Sequence, residues 1–534
     1  MDQDSSTQAA KRKRGDEAFL APQTAENGVL DGVDLSLLEA VEKSHNGGIE
    51  VLDLRTMKKF VLSFERRLRD NLESRMKFPD QPDKFAESEV ELHNEIERLK
   101  ILAGGPELYP DLVSLNTIPS IVGLLGHENT DIAVDVVGLL MDLTDEDVLE
   151  DNDDPARVLV DALVENNVLE LLVQNIGRLS ESDPDEATAI YNTLATIENI
   201  IEVKPAVAEM VCERTKLLRW LMGRIKVREF DANKQYASEI LAILLQNSSA
   251  NQKRLGQMNG VDAMLQAVAM YKSRDPKTSE EGEMLENLFD CLCCLLMPVE
   301  NKERFVKSEG VELMIIIMKQ KKSAYGSAIK VLDFAMTKYP QVCERFVDVL
   351  GLKTVFAAFM GKIPVNKKSK RERYEEELEE RLISLIASLF GGVVRGSRRD
   401  RLLSKFVENE YEKIDRLMEF FIRYADRVKE ESERLDKLDL DDLEMDEEER
   451  YNRKLEAGLY TLQLIALMMG HLWSSEHPGI RARMELLLKQ QKLSRQYVIG
   501  ILQEYHDNIG DIDGPEEKER AQSRIQRFIS AFQV

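Results

Sequence analysis

Apolar residues recur along this chain at helical spacing, in runs separated by short polar breaks. The stretch 230–268 sets the pattern. Ala237, Ile240, Leu241, Leu244 and Leu245 fall on one side of a helix. Asn247, Ser248 and Ser249 then interrupt it. A short helical turn carrying Leu255 follows, and Asn259-Gly260 ends it, with Gly260 expected in the left-handed conformation. A further helix begins at once, with Val261, Met264, Leu265 and Val268 on one face. None of these helices can bury its apolar face alone, so each needs a neighbour of its own kind.

The same punctuation recurs. An apolar residue opens a helix just after a stop at Ile118, Val168, Leu217, Val261, Val311 and Leu352, with gaps of 50, 49, 44, 50 and 41. That spacing lies close to the roughly 40–47-residue period of HEAT and armadillo arrays. The expected fold is therefore all-α, a right-handed superhelical solenoid of about six armadillo-type repeats over 104–360. Flanking segments give it ends. Residues 51–103 read as a helical N-terminal cap, because Leu54, Met57, Val61, Phe64, Leu68, Leu72 and Met76 form a stripe and Pro79 and Pro82 stop it. The same stripe could be the seam of a homodimer. Residues 361–375, with Pro364 and six cations, read as a basic linker. A C-terminal helical region fills 376–534, including a long amphipathic helix over 401–428 and a strongly apolar segment from Leu455 to Trp473.

Charge narrows the partners. The net charge is −25 at pH 7, so a nucleic-acid duplex would repel most of the surface. Basic protein segments are favoured instead. The segment 141–154 holds eight carboxylates and no cation. Such a run faces water or a cationic partner. Asp142, Asp145, Glu146 and Asp147 from it, with Glu198 and Glu202, are the candidate partner-binding residues. Residues 1–48 are polar and expected to be disordered. Within them Lys11-Arg12-Lys13-Arg14 has the form of a nuclear localisation signal. A second basic cluster, Arg395, Arg398, Arg399, Arg401 and Lys405, reads as a solvated face or a contact to RNA or acidic protein. By this reading no stretch approaches the roughly 18 apolar residues that span a bilayer, and the N-terminus has no apolar segment of signal-peptide kind.

No feature points to catalysis. Cys291, Cys293 and Cys294 sit among leucines and read as core, without the paired spacing of a zinc site. The six histidines form no metal motif, and no GxSxG elbow, GxxxxGK[ST] loop or strand-borne GxGxxG occurs. The chain reads as a non-enzymatic protein with no cofactor.

Several blocks in order resemble one family. They are LLGHENTDIAVDVVGLLMDLTDED, FDANKQYASEILAILLQ, ENLFDCLCCLLM with NKERFVKSEGVELM, LLSKFVENEYEKIDRLMEF, KLEAGLYTLQLIALMM and EYHDNIGD. Together they are similar to the beta-catenin-like protein 1 family, nuclear armadillo-type proteins associated with the spliceosome. The resemblance covers about residues 51–510. It implies a nuclear scaffold of pre-mRNA splicing, associated with the Prp-nineteen complex and its Cdc-five-like partner and binding their basic segments, with no membrane and no direct nucleic acid. The alternative is an import-adaptor for basic nuclear cargo. Import receptors bind basic peptides with a ladder of Trp and Asn on the third helix of each repeat. Here the matching places read Asp142, Asn199, Leu245 or Gln246, Cys294, and Asp333 or Phe334. Recognition would then rest on carboxylates making charge-assisted hydrogen bonds.

Overall fold

The computed structural model describes residues 52–149, 153–364, 371–440, 446–512 and 514–534. Lys11–Arg14 and the rest of the expected tail lie outside them, as does the middle of the expected basic linker. Every described element is a helix. The longer ones are α1 (Leu54–Lys77), α2 (Ala86–Leu99), α3 (Thr130–Leu143), α4 (Pro184–Val203), α5 (Ala232–Leu245), α6 (Ser279–Leu295), α7 (Tyr325–Met336), α8 (Arg371–Gly392), α9 (Ser397–Leu440), α10 (Tyr460–Trp473), α11 (Pro478–Gln490), α12 (Arg495–Asp507) and α13 (Pro515–Gln533). Shorter helices between them are given by range.

One row of helices runs the length of the described chain. Each member from α2 to α8 packs on the next; α8 then packs on α10, and α10 on α13. From α4 to α8, two short helices lie between successive members, such as Ser249–Gln257 and Gly260–Ala269 before α6, or Val299–Lys307 and Gly310–Gln320 before α7. A short helix starts at, or one residue before, each of the six anchors found in the sequence. The row is the stack of third helices in an armadillo-type solenoid. Its apolar side chains form one continuous buried cluster from Met57 to Phe532.

Two features depart from the sequence expectation. First, the stack does not end near residue 360. α8 begins inside the segment expected to be linker, and it packs on both α7 and α10. The expected long helix breaks at Glu408–Tyr411, where Asn409, Glu410 and Tyr411 have φ of 53°, 57° and 69°. The two halves of α9 with α10 make a seventh triplet, and α11, α12 and α13 an eighth. Their left-handed turns fall at Asn409–Tyr411 and Lys492. Second, the α1 stripe is rotated. Phe60 is buried with Met57, Val61 and Phe64, whereas Leu72 and Met76 are 47% and 79% exposed. The buried face is the one that meets α2.

The segment Glu447–Trp473 is long and apolar enough to cross a membrane by composition, contrary to expectation, but most of it is buried. A turn of π-helix at Leu455–Leu459, with Gly458 at φ 105°, joins its two halves.

The turn between the paired short helices explains the glycines. The left-handed residue is the one before the glycine: Asn259, Glu309 and Leu350 have φ of 61°, 57° and 64°. Gly260 is the first helical residue, not the left-handed stop. A Cβ there would sit 2.7 Å from the Leu255 carbonyl oxygen. At Gly310 and Gly351 it would enter the rings of Phe305 and Phe346. Glycine is needed here for close approach.

Buried polar side chains tie neighbouring helices together. Asn251 is fully buried, and its Nδ2 donates to the carbonyls of Ala208 (2.9 Å) and Leu244 (2.8 Å). Fifty residues on, Asn301 donates from Nδ2 to Gln252 O at 2.9 Å. Gln252 in turn donates to Leu245 O at 2.9 Å. Lys302 Nζ donates to Thr337 O, just past the end of α7. The Leu244, Leu245 and Thr337 carbonyls lie at or just past a helix end, which leaves them without an intrahelical partner.

Two tests follow from this geometry. Gly310→Ala should lower stability by about 2 kcal/mol through overpacking. Glu309→Gly, one residue earlier, should be neutral or raise it by up to about 1 kcal/mol by relieving the left-handed conformation. Denaturant unfolding of the two variants reads the opposite signs. Burial pushes the Lys302 ammonium down to about 8 from its ordinary 10.5. Between those values the unfolded chain binds a proton that the folded chain has released, so stability rises with pH across that window. Lys302→Met should remove that part of the rise, read as the difference in unfolding midpoint between pH 7.5 and 10.

Candidate partner-binding surface

The row of third helices divides by charge. α3 carries three carboxylates, α4 four and α6 five, and none of the three has a lysine or arginine. α5 carries Glu239 and one cation, Lys234, which is buried and donates to the Val227 carbonyl. From α7 onward cations enter and cross to the neighbouring helix. Lys330 of α7 meets Asp290 of α6 at 2.7 Å. Arg381 of α8 meets Asp333 of α7 at 3.5 Å, and Arg423 of α9 meets Glu379 of α8 at 2.7 Å. The α3–α6 half therefore offers a strongly negative surface, and the α7–α9 half is laced by ion pairs. Stacked like helices produce an extended surface of the kind that binds segments of other proteins.

The predicted residues fall into two groups on this negative half. Asp142 ends α3 and is half-buried, as are Asp145 and Glu146; Asp147 is exposed. The Asp147 N–H donates to Asp145 Oδ1 at 3.1 Å, fixing the turn. Beneath them Tyr109 donates to Leu143 O at 3.0 Å. Burial, followed by the charges of Asp142 and Asp145, raises its phenol well above the ordinary range. Glu198 and Glu202 stand one turn apart on α4, the first half-buried and the second exposed. Asn199, between them, reaches Thr144 Oγ1 at the foot of the acidic turn at 3.5 Å. The fold thus sets the two groups on adjacent helices.

Two residues escaped the sequence reading. Tyr191 of α4 and Tyr236 of α5 bring their rings to 4.5 Å between centroids, tilted by 37°. The Tyr236 hydroxyl donates to Glu198 Oε2. Burial and the Glu198 charge raise this phenol far above its ordinary value, so it stays a donor. The tyrosines are 45 residues apart in sequence; only the offset of Tyr191 from Glu198 by two helical turns hinted at a shared face.

Of the places where an import receptor carries Trp and Asn, Asp142 and Asn199 lie at the acidic turn, Gln246 is exposed, and the others pack into or against the core. Leu245 is fully buried and Cys294 half-buried. Asp333 is buried under Arg381, and burial holds its carboxyl above the usual range. Phe334 has the Arg381 guanidinium 5.7 Å from its ring centre. Cys291 and Cys293 are buried, and burial pushes both thiols up. In the 395–405 cluster most cations bond within the chain. Arg398 pairs with Asp348 at 2.8 Å and Glu344 at 3.2 Å. Arg399 and Arg401 donate to backbone carbonyls, and Lys405 pairs with Glu408 at 2.7 Å.

Residues 35–503 match the model of the family described as catenin-beta-like, Arm-motif containing nuclear. The chain belongs to this family. It is 45% identical to beta-catenin-like protein 1 of Homo sapiens over 494 residues, covering 90% of this chain and 86% of that protein. It is 33% identical to the beta-catenin-like protein 1 homolog of Schizosaccharomyces pombe over 484 residues, covering 88% and 82%. Among solved structures, an engineered protein aligns over 88% of this chain and 99% of its own, with 13% identity and a TM-score of 0.48. Members of the catenin-beta-like family are thus armadillo-type proteins described as nuclear.

Arg381→Met would leave Asp333 buried without its cation. The expected loss is about 3 kcal/mol in denaturant unfolding. Adding Asp333→Asn should recover much of it, because the uncompensated charge is then gone.

Proposed function

We propose that this protein is a non-enzymatic nuclear scaffold of pre-mRNA splicing that binds basic, nuclear-localisation-type segments of spliceosomal proteins, among them members of a Prp-nineteen and Cdc-five-like complex. The observation that carries this reading is the charge division along the spine. α3, α4 and α6 present carboxylates with no lysine or arginine, and the acidic turn after α3 adjoins Glu198 and Glu202 through Asn199 and Thr144. A lysine- or arginine-rich segment laid across α3–α6 meets acceptors at each step of the stack. Apolar contact would supply most of the affinity, and charge the rate and selectivity. Family membership supports the nuclear setting. Of the side chains at the Trp/Asn ladder places, Leu245 and Phe334 are apolar, Cys294 is half-buried and Asp333 is paired with Arg381, which does not favour an import-adaptor.

Binding of a labelled basic peptide should weaken by at least about tenfold between 50 and 300 mM salt, as expected for a contact among several exposed charges. Glu198→Lys with Glu202→Lys should weaken it by at least about tenfold at low salt. Titration by fluorescence anisotropy measures both, and a salt-independent affinity rejects the carboxylate mechanism. Purification of the tagged protein from nuclear extract at moderate salt should retain splicing factors, and the double variant should retain fewer.

A further inference from the structure

Helix α1 carries a second stripe beside the one that its fold consumes. Met57, Phe60, Val61 and Phe64 are buried on the face that meets α2. On the flank of that face stand Lys58, Leu62, Glu65, Arg69, Leu72 and Met76, at successive spacings of 4, 3, 4, 3 and 4. This is an unbroken period of about 3.5 residues, the spacing of a seam between two helices. Leu62 and Leu72 are 51% and 47% exposed, and Met76 is 79% exposed. Neither Glu65 nor Arg69 pairs with a charge among the described residues. We propose that this stripe is an interface with the same stripe of a second copy of the chain, the two α1 helices running antiparallel.

The order of the residues selects both the occupant and its direction. A twofold axis makes a surface meet itself, so that if one residue touches another, the reverse contact is made as well. Let the axis pass at Arg67. Leu62 then meets Leu72 of the second copy, Glu65 meets Arg69, and Lys58 meets Met76, because each pair is equally distant from Arg67 along the helix. Opposite charges face each other twice at the centre, and leucine layers close on either side. Beyond these, the Lys58 stem lies along Met76 while its ammonium stays in water. On the solvent edge Lys59 faces Glu73 of the second copy. Arg66 flanks the axis and is paired within its own helix with Asp70 at 4.0 Å. A parallel alignment in register would instead set Glu65 on Glu65 and Arg69 on Arg69, which like-charge repulsion disfavours. A charged layer within an apolar seam fixes register at some cost in strength. The contact follows one 24-residue helix, about 36 Å long, and so belongs to the small, reversible class of interfaces.

The test is sedimentation velocity on the full chain. The mass should rise from 61.0 kDa toward twice that value as concentration increases from about 1 to about 100 µM, the behaviour of a small interface. Glu65→Arg alone, or Arg69→Glu alone, should weaken association at least about tenfold, since each sets like charges together twice. An equimolar mixture of these two variants, one of them fluorescently labelled, should recover wild-type association. A chain carrying both changes should recover it as well. Leu62→Gln with Leu72→Gln should also weaken association at least about tenfold by removing the leucine layers. A thermal midpoint for each variant shows whether the fold is intact, and the leucine variant serves if a charge reversal unfolds. A wild-type chain that stays monomeric to 100 µM would overturn the interface. So would self-association that the single reversals leave unchanged, or that mixing them does not recover.

Discussion

The structure depends on one constraint: no helix here can bury its apolar face without the next. α2 packs on α3, α3 on α4, and so on to α8, α10 and α13. The buried cluster is consequently continuous from Met57 to Phe532 and has no boundary at which a domain could close. A core built this way grows by layers, and its stability is the sum of layers and of the contacts between them.

The same constraint dictates the buried polar groups. Packing triplets tightly buries helix ends, and buried carbonyls need donors. Asn251, Gln252 and Lys302 supply them to the Leu244, Leu245 and Thr337 carbonyls. Glycine at 260, 310 and 351 permits the accompanying approach of helix to side chain. Polar clamp and glycine answer one demand, the short distance between layers.

On the spine surface the layers are alike in shape but not in charge. Beyond α6 the chain supplies its own cations, and Lys330, Arg381 and Arg423 bridge successive helices. Helices α3, α4 and α6 themselves carry none, and α5 only the buried Lys234. Stacking needs only the apolar face of each helix, so the outward face can differ in charge from one layer to the next.

The sequence by itself determined the helical class, the period and the six anchors, because apolar spacing reflects the face that each helix must bury. It also showed the acidic turn at 142–147, since like charges adjacent in sequence remain adjacent in any fold. The resemblance read from its blocks agrees with the family that the chain belongs to. The tertiary structure decided the rest. It showed that Asn259, not Gly260, takes the left-handed turn, because the glycine's role depends on where Leu255 lies. It turned the α1 stripe toward Phe60, because the partner helix selects the buried face. It joined residues beyond 370 to the stack, because α8 packs on α7 and α10, and α10 on α13. It brought Tyr191, Tyr236 and Glu198 together across two helices. Periodicity records what one helix presents; contacts between helices depend on the rotation and offset of their packing, which no local pattern encodes.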